Sequence, residues 1–464
     1  MTTAEVHRPL SPMERWYWIA DQISPLNVIA RVRVSGAVTT AALEAAAADL
    51  TAEHPLLRVS IAADSDGKNP EFVPVYSAEI PVRTVTPAAA DTEAWEHEVD
   101  ITELGTSLDW RTRPLARIVD VVHRAGEPGE YHDLILTVSH VVADGTTALA
   151  LLRDLVDYAA AHTAGSMTPD TEPAAYGVVR RLPLPAPEDM LPSRFRGMRG
   201  LLRAVGTAIV DQVVAAAARP HRLLPEVAVD PHDRRTRLWH RELSGEQLEA
   251  LVQRCRAEGV TVHGALTAAM ALALGNIVAP GDSGRIGIGS PVDFRTELRP
   301  VVGPDDAGAY VCTVPSFPRF GAVDLWEVAR DLNRELLRRK NFRQHLALVT
   351  LLRLATPDSV ANSARTVALL DQRGPGNVCI SNIGRYDFPE RSGDWALSGA
   401  QFIAGISISG HFVATVNTSH GVLHWNFTYI EGTVSDARAR QLADDSLEIL
   451  SRELVRPEPA VRKG

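Results

Sequence analysis

The stretch "LILTVSHVVADGTTALALL", residues 134 to 152, changes character halfway and sets the reading of the chain. An apolar, β-branched run ends on Ser139 and His140, and four residues later Asp144 and Gly145 open a long Ala/Leu-rich segment. The first part predicts a buried strand, the second a helix from Thr146 to about His162, with Asp144 and Gly145 making the turn between them. A histidine at the end of a strand can aim into a cleft while its backbone stays anchored in the sheet. An imidazole that titrates near neutrality can take a proton from a hydroxyl or amine and return it to a leaving thiol. By itself H-x-x-x-D-G is a short pattern that arises often by chance.

Working outward, "LNVIARVRVSG" (26 to 36), "PLARIVDVV" and "DLILTVS" read as strands, and the segment from Thr39 to His54-Pro55 reads as a helix with a threonine cap. From 164 to 234 prolines accumulate at 169, 173, 183, 185, 187 and 192, which marks a linker. Within it "SRFRGMRGLLRAVGTAIVDQVVAAAARPHR" predicts a helix, basic at both ends, expected to bridge and pack on both halves; a membrane-surface or carrier-docking role is the alternative. The second half restarts with the strand "RTRLWHREL". Ser244 and Gln247 then form a capping box for a helix that stops at Gly259. A second, more apolar helix, strands at "RIGIGSPVDF" and "AYVCTVP", helices between 323 and 355, four strands from "GNVCISNIG" to "GVLHWNFTYI", and a helix from Ser435 to Leu454 follow. Each half thus holds its own sheet and helices, an α+β arrangement of two lobes: 1–163, the linker 164–234, and 235–464.

The 464 residues, 45% of them hydrophobic, are enough for two cores. A net charge of -10 with dispersed charges disfavours nucleic-acid binding. Cys255, Cys312 and Cys379 are far apart and form neither a disulfide framework nor a metal clip, which suits a reducing compartment. Neither a secretory signal nor a run of about 20 uninterrupted apolar residues is visible, so a cytoplasmic protein without a transmembrane segment is expected. Cys379, inside an apolar run, is expected to be buried and inert. His420 and His424 are four apart, but His420-Gly421 reads as a hairpin turn, so helical ligand spacing does not apply and no metal is expected.

Arg295 in "GSPVDFRTELRP" follows a strand and is placed to meet a buried carboxylate in bidentate geometry. Together with "LSPMERWYW", "AALEAAAADLTAEHPLLRVSI", "SHVVADG", "TRLWHRELSGEQLEALVQRCRAEGVTVHGALTAA" and "VCISNIGRYD", these residues make the chain resemble the H-x-x-x-D-G acyltransferase superfamily. That superfamily includes chloramphenicol acetyltransferase, nonribosomal peptide condensation domains and polyketide-associated acyltransferases such as phthiocerol dimycocerosyl transferases, and the last resemble it most. The resemblance implies two acetyltransferase-like lobes forming a V-shaped pseudo-dimer with an interface tunnel. It implies His140 as general base, Asp144 and Gly145 as structural, and Arg295 as the partner of Asp144. It also implies an acyl thioester donor on coenzyme A or the phosphopantetheine of an acyl carrier protein, a hydroxyl acceptor on a lipid, polyketide or other natural product, no bound cofactor and no acyl-enzyme. Ser139 stands where many relatives carry a first histidine. Ser381, Asn382 and Ser139 are candidates for an oxyanion or tunnel role, although a Ser-Asn pair is more often a turn former. Thr146 and Thr147 are explained as well by capping as by channel lining. Amide formation by a free-standing condensation enzyme, or an inactive docking scaffold, are the alternatives. A carrier would need a basic patch, for which Arg194, Arg196, Arg199 and Arg203, or Arg334, Arg338, Arg339 and Lys340, are candidates.

Overall fold

The computed structural model describes residues 5–75, 79–88, 91–165, 181–373 and 377–455; Pro169 and Pro173 of the linker lie outside them. Around His140 the sheet order is Arg391–Ser392, Trp395–Ala404, Asn27–Ser35, Tyr131–Ser139, Ala116–His123 and Val82–Val85. All neighbours are antiparallel except the last pair. Tyr131–Ser139 is central and buried on both faces, one apolar and the other carrying Asp133 paired with Arg31 and Arg33 and Thr137 bonded to Glu103. Leu134, Leu136 and Val138 join the core beneath the helices Thr40–Glu53 and Gly145–Thr163, while Ile135 packs on the other side with Trp95 and Val99.

The second sheet runs Val311–Ser316, Ile288–Asp293, Val378–Arg385, Phe412–Ser419, Val422–Ile430 and Thr236–Leu243, with parallel pairing on both sides of Val378–Arg385. Val262–Val278, the most apolar helix, lies buried between this sheet and its neighbours Leu325–Asn341 and Asp436–Val455. Trp326, Phe412, Trp425 and Phe427 fill that core. The Ser244/Gln247 capping box forms as its spacing requires. The helices between 323 and 355 are Leu325–Asn341 and Gln344–Ala355, parted at Arg343, which adopts a left-handed conformation, φ 51. The chain is therefore a two-lobed α+β molecule.

Three expectations need correction. The lobes are not separate along the chain, because Trp395–Ala404 leaves the second half and pairs with Asn27–Ser35 of the first. Its free edge is met by side chains from the face of the second sheet. Asn417 donates to the Ala400 carbonyl and accepts from the Phe402 N–H, while Asn426 and Thr415 donate to the Phe402 carbonyl and Thr428 to Ala404. A buried edge strand needs partners for its backbone groups, and this polar seam supplies them.

The linker helix, Gly197–Ala218, does not bridge. Its contacts run to the second half, chiefly to Gln344–Ala355, with Asp211 paired to Arg339 and Arg203 donating to the Phe342 carbonyl. The linker touches the first lobe elsewhere: Glu188 accepts from the Met13 N–H, and the Arg181 N–H donates to the Glu53 carbonyl. The same helix, 22 residues at mean hydropathy 1.5, has the length and composition of a membrane span, contrary to the expectation that no segment does. Here it lies along the protein surface.

Candidate active site

His140 follows directly on Tyr131–Ser139, with its N–H donating to the Leu26 carbonyl. Nδ1 is buried against the backbone of His140 and Ala143. The ring of Tyr17 stacks on the imidazole, 4.2 Å between centroids and 7° from parallel. Burial lowers the histidine pKa below its ordinary value, with Asp144 and the nearby backbone pulling the other way. The imidazole is therefore neutral at pH 7. Tyr17 comes from the helix Pro12–Ile23, and burial raises its phenol pKa, so it too is uncharged. Its hydroxyl lies within electrostatic reach of Cys312, Asp144, Glu188 and Cys379. Sequence reasoning missed Tyr17 and its helix, although Ser11, Pro12 and Glu14 spell a capping box with proline in the first turn.

Asp144 caps the helix Gly145–Thr163, accepting from the Thr147 N–H at 3.1 Å. Arg295 reaches it from the other lobe at 2.7 Å, and the Tyr310 N–H donates to its second oxygen at 2.9 Å. Burial pushes the Asp144 pKa up, but the charge and hydrogen bond of Arg295, with the Tyr310 and Thr147 N–H groups, hold it below the ordinary range. The guanidinium is not bidentate on Asp144. It divides its nitrogens, one to Asp293 at 2.8 Å and the other to Asp144 and the Thr147 hydroxyl, while its plane lies over Tyr310. Asp293 is fixed in that position by the Arg295 N–H itself, two residues on.

Thr147 passes the connection onward by donating to the Gly308 carbonyl, and Ala143 makes an isolated bridge to Gly308. The turn after His140 is thus clamped between lobes. Gly145 is required by packing rather than by turn geometry: its φ is not positive, but a Cβ there would stand 2.4 Å from the Phe402 ring.

Ser139, buried, accepts from the Val141 N–H and serves the turn instead of facing a channel. Asn382 accepts from the Gly384 N–H at a bulge in Val378–Arg385, a turn-forming use, and Ser381 beside it is half-buried. Cys379 is buried, and burial pushes its thiol up to about 12, the same as Cys312 and Cys255. A cleft of about 410 Å³ opens between the lobes, lined by Pro25, Gly105, His232, Arg234, Arg235 and Glu431. Pro25 adjoins Leu26, the residue that anchors His140.

His420 and Gly421, both at positive φ, form the hairpin turn. His424 instead meets His240 and Glu242 across the sheet, with ligand-type atoms within 4.8 Å of one another. His240 already uses Nδ1 on Asn426. Burial, then His240 and Arg31, push the pKa of His424 down to about 3. The positive charge of Arg31 that disfavours a proton there also disfavours a cation. A second trio, Glu53, His54 and Asp154, has its carboxylates engaged by Arg181, Tyr158 and Arg153.

Residues 233–391 match the family model of the phthiocerol/phthiodiolone dimycocerosyl transferase C-terminus. The whole chain superposes on a trichothecene 15-O-acetyltransferase from Fusarium sporotrichioides, covering 96% of this chain and 95% of that one at TM-score 0.70 and 13% identity. The chain carries the condensation-domain and acyltransferase superfamily fold. Polyketide synthase associated protein 5 from Mycobacterium tuberculosis superposes over 98% of both chains at TM-score 0.60 and 18% identity. The epimerization domain of tyrocidine synthetase B covers 97% of both at TM-score 0.68 and 16% identity. Among curated proteins, chondramide synthase from Chondromyces crocatus is 31% identical over 157 residues, 32% of this chain. A non-canonical nonribosomal peptide synthetase from Salinispora arenicola is 28% identical over 303 residues, 63% of this chain. The chain spans only 4% of the length of either synthetase.

Proposed function

We propose that the protein transfers an acyl group from a thioester, carried by coenzyme A or by the phosphopantetheine of a carrier protein, to a hydroxyl of a lipid, polyketide or other natural product. The observation that carries the reading is the placing of His140, stacked on Tyr17 at the end of a buried strand, beside a turn clamped between lobes through Asp144 and Arg295. With Nδ1 buried, Nε2 is the nitrogen that meets the acceptor. It takes the hydroxyl proton as the oxygen attacks the thioester carbonyl. Collapse of the tetrahedral intermediate breaks the C–S bond, and the imidazolium returns the proton to the leaving sulfur, so the enzyme ends as it began. Asp144 and Arg295 do not touch the reactants in this scheme; they hold the turn. The three cysteines, with their thiols near pKa 12, are poorly suited to a covalent route. The site binds no metal or cofactor in this scheme, and the reaction belongs in the cytoplasm.

The test is thioester turnover. A panel of acyl-CoA donors is incubated with simple alcohols and amines, free thiol is followed, and His140→Ala is the control. Alcohol-dependent thiol release, reduced about 10²- to 10⁴-fold in the variant, is expected. Full activity in His140→Ala overturns the reading. The synthetase relatives support amide formation as the second reading, and faster release with amines would favour it. Silence with every coenzyme A donor, followed by silence with acyl-loaded carrier protein, would leave the scaffold.

A further inference from the structure

The surface helix Gly197–Ala218 has its polarity reversed. Its protein-facing side carries the small residues Gly200 and Ala204 and the charged Asp211, which pairs with Arg339 and accepts from Gln344. Its solvent-facing side carries Met198, Leu202, Val205, Ile209 and Val213, spaced four, three, four and four residues apart and between 37% and 70% exposed. That spacing makes one stripe along the helix, about 22 Å long at 1.5 Å per residue. Phe342, also exposed, is tied to the same helix by the bond from Arg203 to its carbonyl. A surface helix normally turns the opposite way, and a contiguous apolar stripe of this kind marks a surface that meets something apolar.

The charge around the stripe identifies what it meets. Between 190 and 224 there are six arginines, Arg194, Arg196, Arg199, Arg203, Arg219 and Arg222, against one acid, Asp211, in a chain whose net charge is -10. Arg194, Arg196, Arg199 and Arg203 are exposed at the start of the helix and Arg219 at its end. A second copy of the chain on this face would bring arginines against arginines. An acidic carrier protein would answer the arginines but leave the aliphatic stripe without an apolar partner. The surface of an anionic bilayer answers both, headgroups to the arginines and acyl chains to the stripe.

We propose that Gly197–Ala218 is an in-plane docking helix that seats the protein on an anionic lipid surface, with Met198, Leu202, Val205, Ile209 and Val213 entering the bilayer boundary and the flanking arginines on the headgroups. The helix does not span the membrane, because Asp211 stays with Arg339. The proposal stands apart from the acyl-transfer reading and survives its failure.

The experiment is co-sedimentation of the full chain with vesicles of phosphatidylcholine alone or mixed with phosphatidylserine, at low and high salt. Binding to the mixed vesicles, weakened by salt, is expected, with little binding to phosphatidylcholine alone. The variant Leu202→Gln/Ile209→Gln/Val213→Gln should lose binding at least about tenfold, and Arg196→Glu/Arg199→Glu/Arg203→Glu should lose its preference for the anionic lipid. Since Leu202, Ile209 and Val213 are exposed, the denaturation midpoint of the glutamine variant should match wild type, which separates lost docking from lost folding; the arginine variant also gives up the bonds of Arg196 to the Asp189 carbonyl and of Arg203 to the Phe342 carbonyl. Absence of vesicle binding, or equal binding by the glutamine variant, overturns the proposal. So does resistance of bound protein to alkaline carbonate, which would mean insertion. Self-association or carrier-protein binding that the glutamine variant abolishes, without lipid binding, would assign the stripe to a protein partner instead.

Discussion

At the residue scale, His140 is a base whose burial works in favour of its use. A pKa below the ordinary value of about 6.5 keeps the ring neutral further into acid, so the acid limb of the kcat/KM profile is expected below pH 6.5. A limb at or above that value would mean a different group is titrating. Asp144 and Arg295 are buried partners: removing Arg295 leaves the Asp144 charge with only the Thr147 and Tyr310 N–H groups, whereas removing Asp144 leaves Arg295 with Asp293. Arg295→Ala should cost about 3–5 kcal/mol in urea denaturation and Asp144→Ala less. Their double variant should be non-additive by about 0.5–3 kcal/mol; simple additivity would deny the coupling. Gly145→Ala should cost about 1–3 kcal/mol through its clash with the Phe402 ring. Phe402→Leu in the same chain should restore part of that loss, as read by the same denaturation curve.

At the element scale, the linker is tied to the first helix by a carboxyl group. Glu188 is buried beside the Pro12–Ile23 N-terminus, and burial, then the neighbouring Glu14, raise its pKa to about 7. The folded chain therefore holds a proton between pH 4.5 and 7 that the unfolded chain releases. Stability from this group is full below pH 4.5 and is lost as pH rises to 7, up to about 3 kcal/mol. Glu188→Gln keeps the acceptor for the Met13 N–H and should flatten that slope in denaturation curves taken from pH 4.5 to 7.5. An unchanged slope would place the titration elsewhere. The carrier-docking candidates also separate at this scale. Arg339 is buried in pairs with Asp211, Glu335 and Gln344, so the face containing Arg334, Arg338 and Lys340 lacks its expected centre.

At the scale of the whole molecule, the two lobes are joined by a strand exchanged into the first sheet and by the side chains that cover its edge. Asn417→Val removes the acceptor for the buried Phe402 N–H and the donor to the Ala400 carbonyl. The Ala400 carbonyl keeps the Ser419 hydroxyl, so the loss should be about 1–3 kcal/mol for the Phe402 N–H left unpaired, seen as an earlier but still single unfolding transition. Two separated transitions would mean that the seam alone couples the lobes.

What the sequence determined by itself was local. The apolar, β-branched run "LILTVS" identified the central strand, the turn at Asp144 and Gly145 the helix that follows it, and Ser244 and Gln247 the start of another, because caps and periodicities are set by neighbours a few residues away; the meeting of Arg295 with Asp144 was implied by the family resemblance alone. Tertiary structure decided the rest. Tyr17 covers His140, Phe402 makes Gly145 obligatory, and Trp395–Ala404 changes lobes, all through partners at least a helix away or in another sheet. Even the two-residue step from Asp293 to Arg295 acquires its meaning only when Asp144 arrives from the other lobe. The linker helix shows the reason most directly. Its apolar residues and its arginines can be read in one dimension, but which arc faces protein and which faces outward depends on where Arg339 stands to receive Asp211.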